Sequence, residues 1–432
     1  MAAVCLWFLP AAALAQPSDI DPRITALVAS VSEQRLTALV QKLASYETRN
    51  LMSNPDPAGR GIGAARQWIF DELKGSSPRL QVSFDTYRVA AQGLRILREV
   101  ELRNVVAVLP GRSARRIYVS GHYDTVARIG TAFDYSKGDN PAPGANDDGS
   151  GTALTMELAR VFGQSGVQFD ATLVFVAFAG EEQGLVGAHL HSEKAKAEKA
   201  VIDAVFNNDI VGGAAGGTGI VDGETIRVFS EGPEDSPSRQ LARHIRKTAA
   251  RYVPGHRVVL VSRYDRFGRG GDHTAFNQRG FTAVRLTEAN ENYTKQHTVN
   301  DTVDGVSFPY LARNARVNVA GVATLALAPA SPGVTTDRGA PMLTRDPSGY
   351  DARLQWQASA GAAGYRIYMR SGWPNDWETT VAVGNATEYV LPNVSIDDFI
   401  FGVSAVGVDG NESLVAAYVN PPRENVTIKT VR

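Results

Sequence analysis

The sequence predicts an α/β protein with a mostly parallel mixed central sheet flanked by helices, followed by a small all-β sandwich. Three observations predict it. From about residue 21 to residue 328, apolar strand-like runs alternate with stretches of helical spacing, and that alternation builds a largely parallel sheet with helices on its faces. Residues 171–178, Ala-Thr-Leu-Val-Phe-Val-Ala-Phe, are almost continuously hydrophobic, as a strand covered on both faces must be. Beyond Pro329 the pattern changes to short alternating strands bounded by turn residues, the signature of a sandwich.

The elements follow in order. Residues 21–46 read as a helix through Leu27, Val31, Leu36, Leu39, Val40 and Leu43, and residues 61–73 as another through Ile62, Ala65, Trp68, Ile69 and Leu73. Strands are expected at 82–87, 100–108, 117–120, 171–178, 202–209, 226–229, 258–261 and 282–286. Helices are expected at 151–162, 187–200, 236–252, 272–279 and 310–328, with a long Gly-, Asp-, Ser- and Pro-rich loop at 127–148. The domains read as a leader at 1–15, a main domain at 16–328, a linker at 329–340 and a sandwich at 341–422. The last resembles a fibronectin type III module, with Trp356 on an early strand, Tyr365-Arg366-Ile367-Tyr368, and a late strand through Phe399, Phe401, Val403 and Ala405.

Composition narrows the function classes. The chain has 432 residues, 44% hydrophobic and 21% charged, with a formal net charge of -1. That balance gives no general attraction to nucleic acid or to an anionic membrane surface. The single cysteine, Cys5, lies in a short apolar run ending Ala13-Leu14-Ala15, which reads as a secretory leader cleaved after Ala15. The expected mature chain is secreted or periplasmic and has no thiol chemistry. No other stretch is long and apolar enough to read as a membrane span. The glycine-rich stretch at 212–219 lacks Gly-Lys-Ser/Thr and reads as a plain loop.

The chemistry gathers at strand ends. His122 with Asp124, Glu181 with Glu182, and Asp209 each follow an apolar run, and ligands of open α/β sheets bind at that edge. Gly144-Ala145-Asn146-Asp147-Asp148-Gly149-Ser150-Gly151 crowds two carboxylates into a loop of small residues, and His297 lies downstream in Gln296-His297-Thr298-Val299-Asn300-Asp301-Thr302. Taken singly, these read as turns, helix starts and structural histidines. Together, two histidines and three carboxylates provide one His, one terminal carboxylate and a shared Asp for each of two metal ions about 3.5–4 Å apart.

Five motifs occur in order: Gly121-His122-Tyr123-Asp124, the Gly144–Gly151 octet, Glu181-Glu182, Asn207-Asn208-Asp209 and His297-Thr298-Val299-Asn300-Asp301-Thr302. In them the chain resembles the dizinc exopeptidases related to bacterial leucyl aminopeptidases and glutamate carboxypeptidases, over residues 33–328. The resemblance implies two zinc ions, with His122 and Asp209 on one, Glu182 and His297 on the other, and Asp147 bridging. It implies that Glu181 is the general base, taking a proton from the attacking water and passing it to the leaving amine. It implies a cis peptide between Asp147 and Asp148. Asp124 is expected to accept the far ring N–H of His122, and Asp301 to serve similarly near His297. Asp148 is expected to shape the loop.

One motif departs from the family. Gly271-Asp272-His273 carries Gly where a Ser is usual, and Tyr264 lies further upstream than expected. Tyr264, Arg263 and Arg266 are the candidates to contact an oxyanion or a substrate carboxylate. His273 is expected to be structural, and His189, His191, His244 and His256 to be surface or packing residues. The expected activity is that of an aminopeptidase acting on peptides. The alternatives are a carboxypeptidase or dipeptidase with an Arg clamp, a single-zinc glutaminyl-cyclase-like acyltransferase, and a binding protein that kept the fold but lost its chemistry. The C-terminal module is expected to make protein or surface contacts.

Overall fold

The computed structural model describes residues 20–420 except 131, 136, 137 and 348; the expected leader lies outside them. Where one N-terminal helix is expected there are two, α1 (Pro22–Ala29) and α2 (Glu33–Ala44). The break falls at Ser30-Val31-Ser32. Ser32 takes extended dihedrals and accepts from the Arg35 amide, so its hydroxyl caps a new helix rather than continuing the old one. The chain continues through α3 (Ile62–Ser76), β1 (Gln81–Val89), β2 (Val100–Leu109) and β3 (Arg116–His122). A small hairpin, β4 (Ala127–Ile129) and β5 (Ala132–Asp134), lies inside the expected loop. Then come α4 (Gly149–Gln164), β6 (Thr172–Phe178), α5 (Val186–Ala197), β7 (Ile202–Asn208), β8 (Thr225–Ser230) and α6 (Pro237–Tyr252). This part ends with β9 (Arg257–Val261), α7 (His273–Asn277), β10 (Ala283–Glu288) and α8 (Phe308–Leu327).

Eight strands make one sheet in the order β1-β2-β6-β3-β7-β10-β8-β9. Its centre, β6-β3-β7-β10, is parallel, while β1, β2 and β8 bring antiparallel pairings. Successive side chains point to opposite faces. On β3, Ile117 and Val119 therefore join the core under α1–α4, α6 and α8, while Tyr118 joins a smaller core under α5 and α7. The register sets the edge where the motifs emerge: His122 pairs with Phe178, and Ser120 with Asn207. His122, the Glu181-Glu182 turn and Asp209 thus leave the sheet side by side.

The C-terminal part forms two antiparallel sheets. One is β11 (Leu343–Arg345), β12 (Asp351–Gln355) and β15 (Glu388–Ser395); the other is β14 (Thr379–Gly384), β13 (Ala362–Arg370), β16 (Ile400–Gly407) and β17 (Ala416–Ala417). Leu354, Trp356, Leu391, Ile367, Phe401 and Val403 share the core between them. The stretch expected as a linker is partly built in, since Val334 belongs to that core. The sheets are fastened to the main domain. Arg370 makes a two-pronged contact with Asp235, with Nη2 2.8 Å from each oxygen, and Trp377 Nε1 donates to Gln240 at 3.0 Å. Asn411 donates to Asp21 at 2.8 Å. Among the described residues, no helix is long and apolar enough to cross a membrane.

Candidate metal centre

Asp147 is the centre of the site. Its Oδ1 lies 3.3 Å from His122 Nε2 and its Oδ2 lies 3.0 Å from His297 Nε2. Each oxygen therefore faces a different imidazole. Asp209 Oδ1 lies 3.8 Å from His122 Nε2, and Glu182 Oε1 lies 3.3 Å from His297 Nε2. Two ligand clusters result, each with donor atoms within 4.8 Å of one another: His122, Asp148 and Asp209, and Asp147, Glu182 and His297. Asp148 lies close enough to take part, but its oxygens already hold main-chain amides. Oδ2 accepts from the His122 amide at 3.0 Å, and Oδ1 from the amides of Gly151 and Ile210 at 2.9 and 3.1 Å. Asp147 faces both imidazoles and is the better partner for His122.

The donors fit a cation. Asp147 Oδ2 and Glu182 Oε1 are buried and receive no hydrogen bond, an arrangement that is costly unless positive charge supplies the missing partner. The imidazoles tell the same story. Burial opposes protonation of His297, yet the Glu182 and Asp147 carboxylates outweigh it and push the ring up to about 11. His122 is likewise raised despite burial, Glu181 being the largest contributor. Carboxylates that draw protons onto two rings are ones that a bound cation could satisfy instead, with the rings then neutral donors. An imidazole and carboxylate set of this kind suits zinc.

The surrounding chain holds these candidate ligands in place. The Asp147–Asp148 peptide is cis. Asp301 accepts from the Asn146 amide through Oδ1 at 3.0 Å and from the Asp147 amide through Oδ2 at 2.9 Å. The octet's small residues are needed for space: a Cβ on Gly151 would lie 2.1 Å from the Asn208 carbonyl oxygen. The Asp124 main-chain carbonyl, 3.2 Å away, takes His122 Nδ1, while the carboxylate accepts the amides of Glu181 and Glu182 at 3.1 and 3.2 Å. Asp124 thus fixes the Glu-Glu turn as well as the ring. Glu181 lines the cleft, and burial pushes its carboxyl well above the ordinary range.

The cleft holds about 310 Å³, and Arg95, Phe133, Tyr135 and Arg269 are among its walls. Arg266 also lines it, but its donors are engaged by Asp265 at 3.0 Å, Glu291 at 2.6 Å and the Gly270 carbonyl at 3.3 Å. Arg263 and Tyr264 are not brought to the cleft. The loop buries Asp265 and turns the two residues before it outward, so that Tyr264 is 48% exposed and Arg263 lies over the Phe267 ring. His273 is buried and hydrogen-bonded to the Tyr264 carbonyl at 2.7 Å. His191 pairs with Asp85, His244 with the Gly321 carbonyl and His256 with Asn314; His189 contacts Arg279. A roomier cavity of about 410 Å³ between α6 and the C-terminal sheets contains neither ligand cluster.

Two supporting residues escaped the sequence reading. Arg49 is fully buried and donates to the carbonyls of Tyr123, Pro143 and Gly144, clamping the start of the octet. Arg285 is also fully buried, with Nη1 2.8 Å from Asp209 Oδ2. Neither sits in a motif. The only signal for Arg285 was a charge between the apolar Ala283-Val284 and Leu286.

Comparison with known proteins agrees with this architecture. Residues 104–322 match the model of "Peptidase family M28". A protein named "Probable zinc metalloprotease", from Leptosphaeria maculans, is 38% identical over 429 residues, covering 91% of this chain and 96% of the relative. The LapA aminopeptidase of Legionella pneumophila shares the fold with a TM-score of 0.55 at 21% identity, over 71% of this chain and 75% of that one. The glutaminyl cyclase of Porphyromonas gingivalis shares it with a TM-score of 0.54 at 18% identity, over 68% of this chain and 98% of that one. With 91% of its length matched by a protein named "Probable zinc metalloprotease" and residues 104–322 by the family model, the chain belongs to peptidase family M28 and is a zinc metallopeptidase.

Proposed function

We propose that the chain is a dizinc exopeptidase, and an aminopeptidase on peptides with a free N-terminus. The observation that supports it most is Asp147, whose two oxygens face two different histidines. In this reading His122 and Asp209 hold one zinc, Glu182 and His297 the other, and Asp147 both. Zinc bound there would supply Lewis acidity, lowering the pKa of water and polarising the scissile carbonyl. Glu181 accepts the proton of the attacking water on its carboxylate and returns it to the leaving nitrogen. Asp124 holds the main chain of Glu181 and so sets the direction of that transfer. The aminopeptidase choice leans on the likeness to LapA. A carboxypeptidase or dipeptidase is the second reading, favoured by Arg95, which lines the cleft over the Tyr135 ring and could meet a substrate carboxylate. We further read the chain as exported and its C-terminal sheets as fibronectin type III-like.

The test is metal analysis with paired substrates. About two zincs per chain and cleavage of free but not N-blocked peptides are expected. Cleavage of blocked peptides from the C-terminus moves the choice to the second reading, and cyclisation of N-terminal glutamine without hydrolysis overturns both. Glu181→Gln is expected to keep its zinc and lose about 10²–10⁴-fold in turnover; full activity in that variant removes the base assignment.

A further inference from the structure

We propose that Arg285 is a positioning residue for the metal centre, held against Asp209 through a space that only glycine at position 271 leaves open. The inference rests on the reading of Asp209 as a zinc ligand. Arg285, on β10, is fully buried, and a buried guanidinium is costly unless acceptors meet its charge; its two Nη atoms find them, while Nε has no partner. The Nη atoms grip Asp209 twice. Nη1 lies 2.8 Å from Oδ2, and Nη2 donates to the Asp209 main-chain carbonyl at 3.2 Å. Nη1 also donates to the Gly270 carbonyl at 2.9 Å. The planar fork thus anchors side chain and main chain of Asp209 together, as a lysine could not. With Oδ2 held, Oδ1 is left facing His122.

Gly271 forms the other wall. Its φ lies outside the left-handed region, so conformation does not require glycine here; space does. A Cβ would lie 2.7 Å from Arg285 Nη1 and 3.3 Å from Asp209 Oδ2. The neighbour able to yield is the far end of Arg285. A second acceptor is within reach, because Asp265 Oδ2 lies 3.5 Å from Nη1. Asp265 is already tied to Arg266, and Arg266 to Glu291. A methyl at 271 therefore loosens the Arg285–Asp209 pair without deleting either residue. Removing the outer partner of a metal ligand commonly weakens metal binding about 10–100-fold.

The test is a zinc titration of the full chain against a chromophoric chelator, for wild type, Gly271→Ala, Arg285→Met and the double variant, with melting of the zinc-free forms measured alongside. Each single variant is expected to bind one of its two zincs at least about tenfold more weakly. The double variant is expected to be no weaker than Arg285→Met, since the methyl then has no guanidinium to displace. Unchanged zinc affinity in Gly271→Ala, or additive losses in the double variant, overturns the proposal. So does a lower zinc-free melting temperature with wild-type zinc affinity, which marks a purely structural arginine. If Arg285→Met does not fold, Arg285→Lys replaces it: it is expected to bind one zinc weakly, and full affinity overturns the fork. A wild-type chain taking up fewer than two zincs overturns the dizinc reading and the proposal together, whereas two zincs with unaffected variants overturn the proposal alone.

Discussion

Asp148→Asn separates a bracket from a ligand. Asp148 is fully buried, and its oxygens take three main-chain amides from three parts of the chain: His122 at the end of β3, Gly151 in α4, and Ile210 after β7. Two of these amides belong to His122 and to the neighbour of Asp209. Burial raises the Asp148 carboxyl well above the ordinary range. All three partners nevertheless donate, so the ionised acceptor is the form the fold uses. Alanine would orphan three buried donors at about 1–3 kcal/mol each. That sum of about 3–9 kcal/mol approaches the whole stability of a typical domain, about 5–15 kcal/mol. Asparagine is the measurable change. Its carbonyl can keep the two amides now held by Oδ1, while its NH₂ is forced against the His122 N–H. One lost acceptor is worth about 2 kcal/mol. The variant is expected to shift the urea midpoint of the zinc-free protein by that amount, to bind zinc about 10–100-fold more weakly and still to hold two equivalents when saturated. Unchanged zinc-free stability would refute the bracket. A saturated stoichiometry lower by one zinc would make Asp148 a direct ligand.

Two other outcomes are expected. His244 is buried in α6 and donates to the Gly321 carbonyl; burial depresses its pKa from 6.5 to about 4, against the raising effect of that bond. The unfolded chain therefore binds a proton that the folded chain resists. Stability is complete above about pH 6.5 and falls as the pH drops towards 4, by about 3 kcal/mol at about 1.4 kcal/mol per pH unit. His244→Gln should flatten that limb of a melting-against-pH curve, and parallel curves for the two proteins would refute the reasoning. Arg370→Ala removes the buried half of a partly buried pair with Asp235, a loss below the about 3–5 kcal/mol of a fully buried pair. It should loosen the C-terminal sheets, seen as faster limited proteolysis there, and an unchanged cleavage rate would count against the fastening role.

The alternation of strands and helices was legible because it follows from periodicity, and the sheet edge could be placed because polar residues interrupt apolar runs where a strand ends. The α1–α2 break was missed because a serine reads equally well inside a helix and as a cap, and the choice rests on which backbone amide it meets. The β4–β5 hairpin was missed because three-residue strands carry no pattern. Tyr264 was a candidate for the cleft because the resemblance implies a tyrosine before Asp272-His273, although it lies further upstream than expected; a loop's outward turn depends on which member it buries, here Asp265.

The sequence by itself determined the fold class, the family and the residue types of the metal centre, because periodicity and motif spacing are local properties of the chain. Only the tertiary structure decided how those residues face one another. Asp147 looks to both histidines, Asp148 is turned to main-chain amides, and Arg285 reaches Asp209 across the gap at Gly271. Asp147 stands 25 positions from His122 and 150 from His297, and Arg285 stands 76 from Asp209; such partners are set by sheet register and burial, not by any neighbouring letter of the sequence.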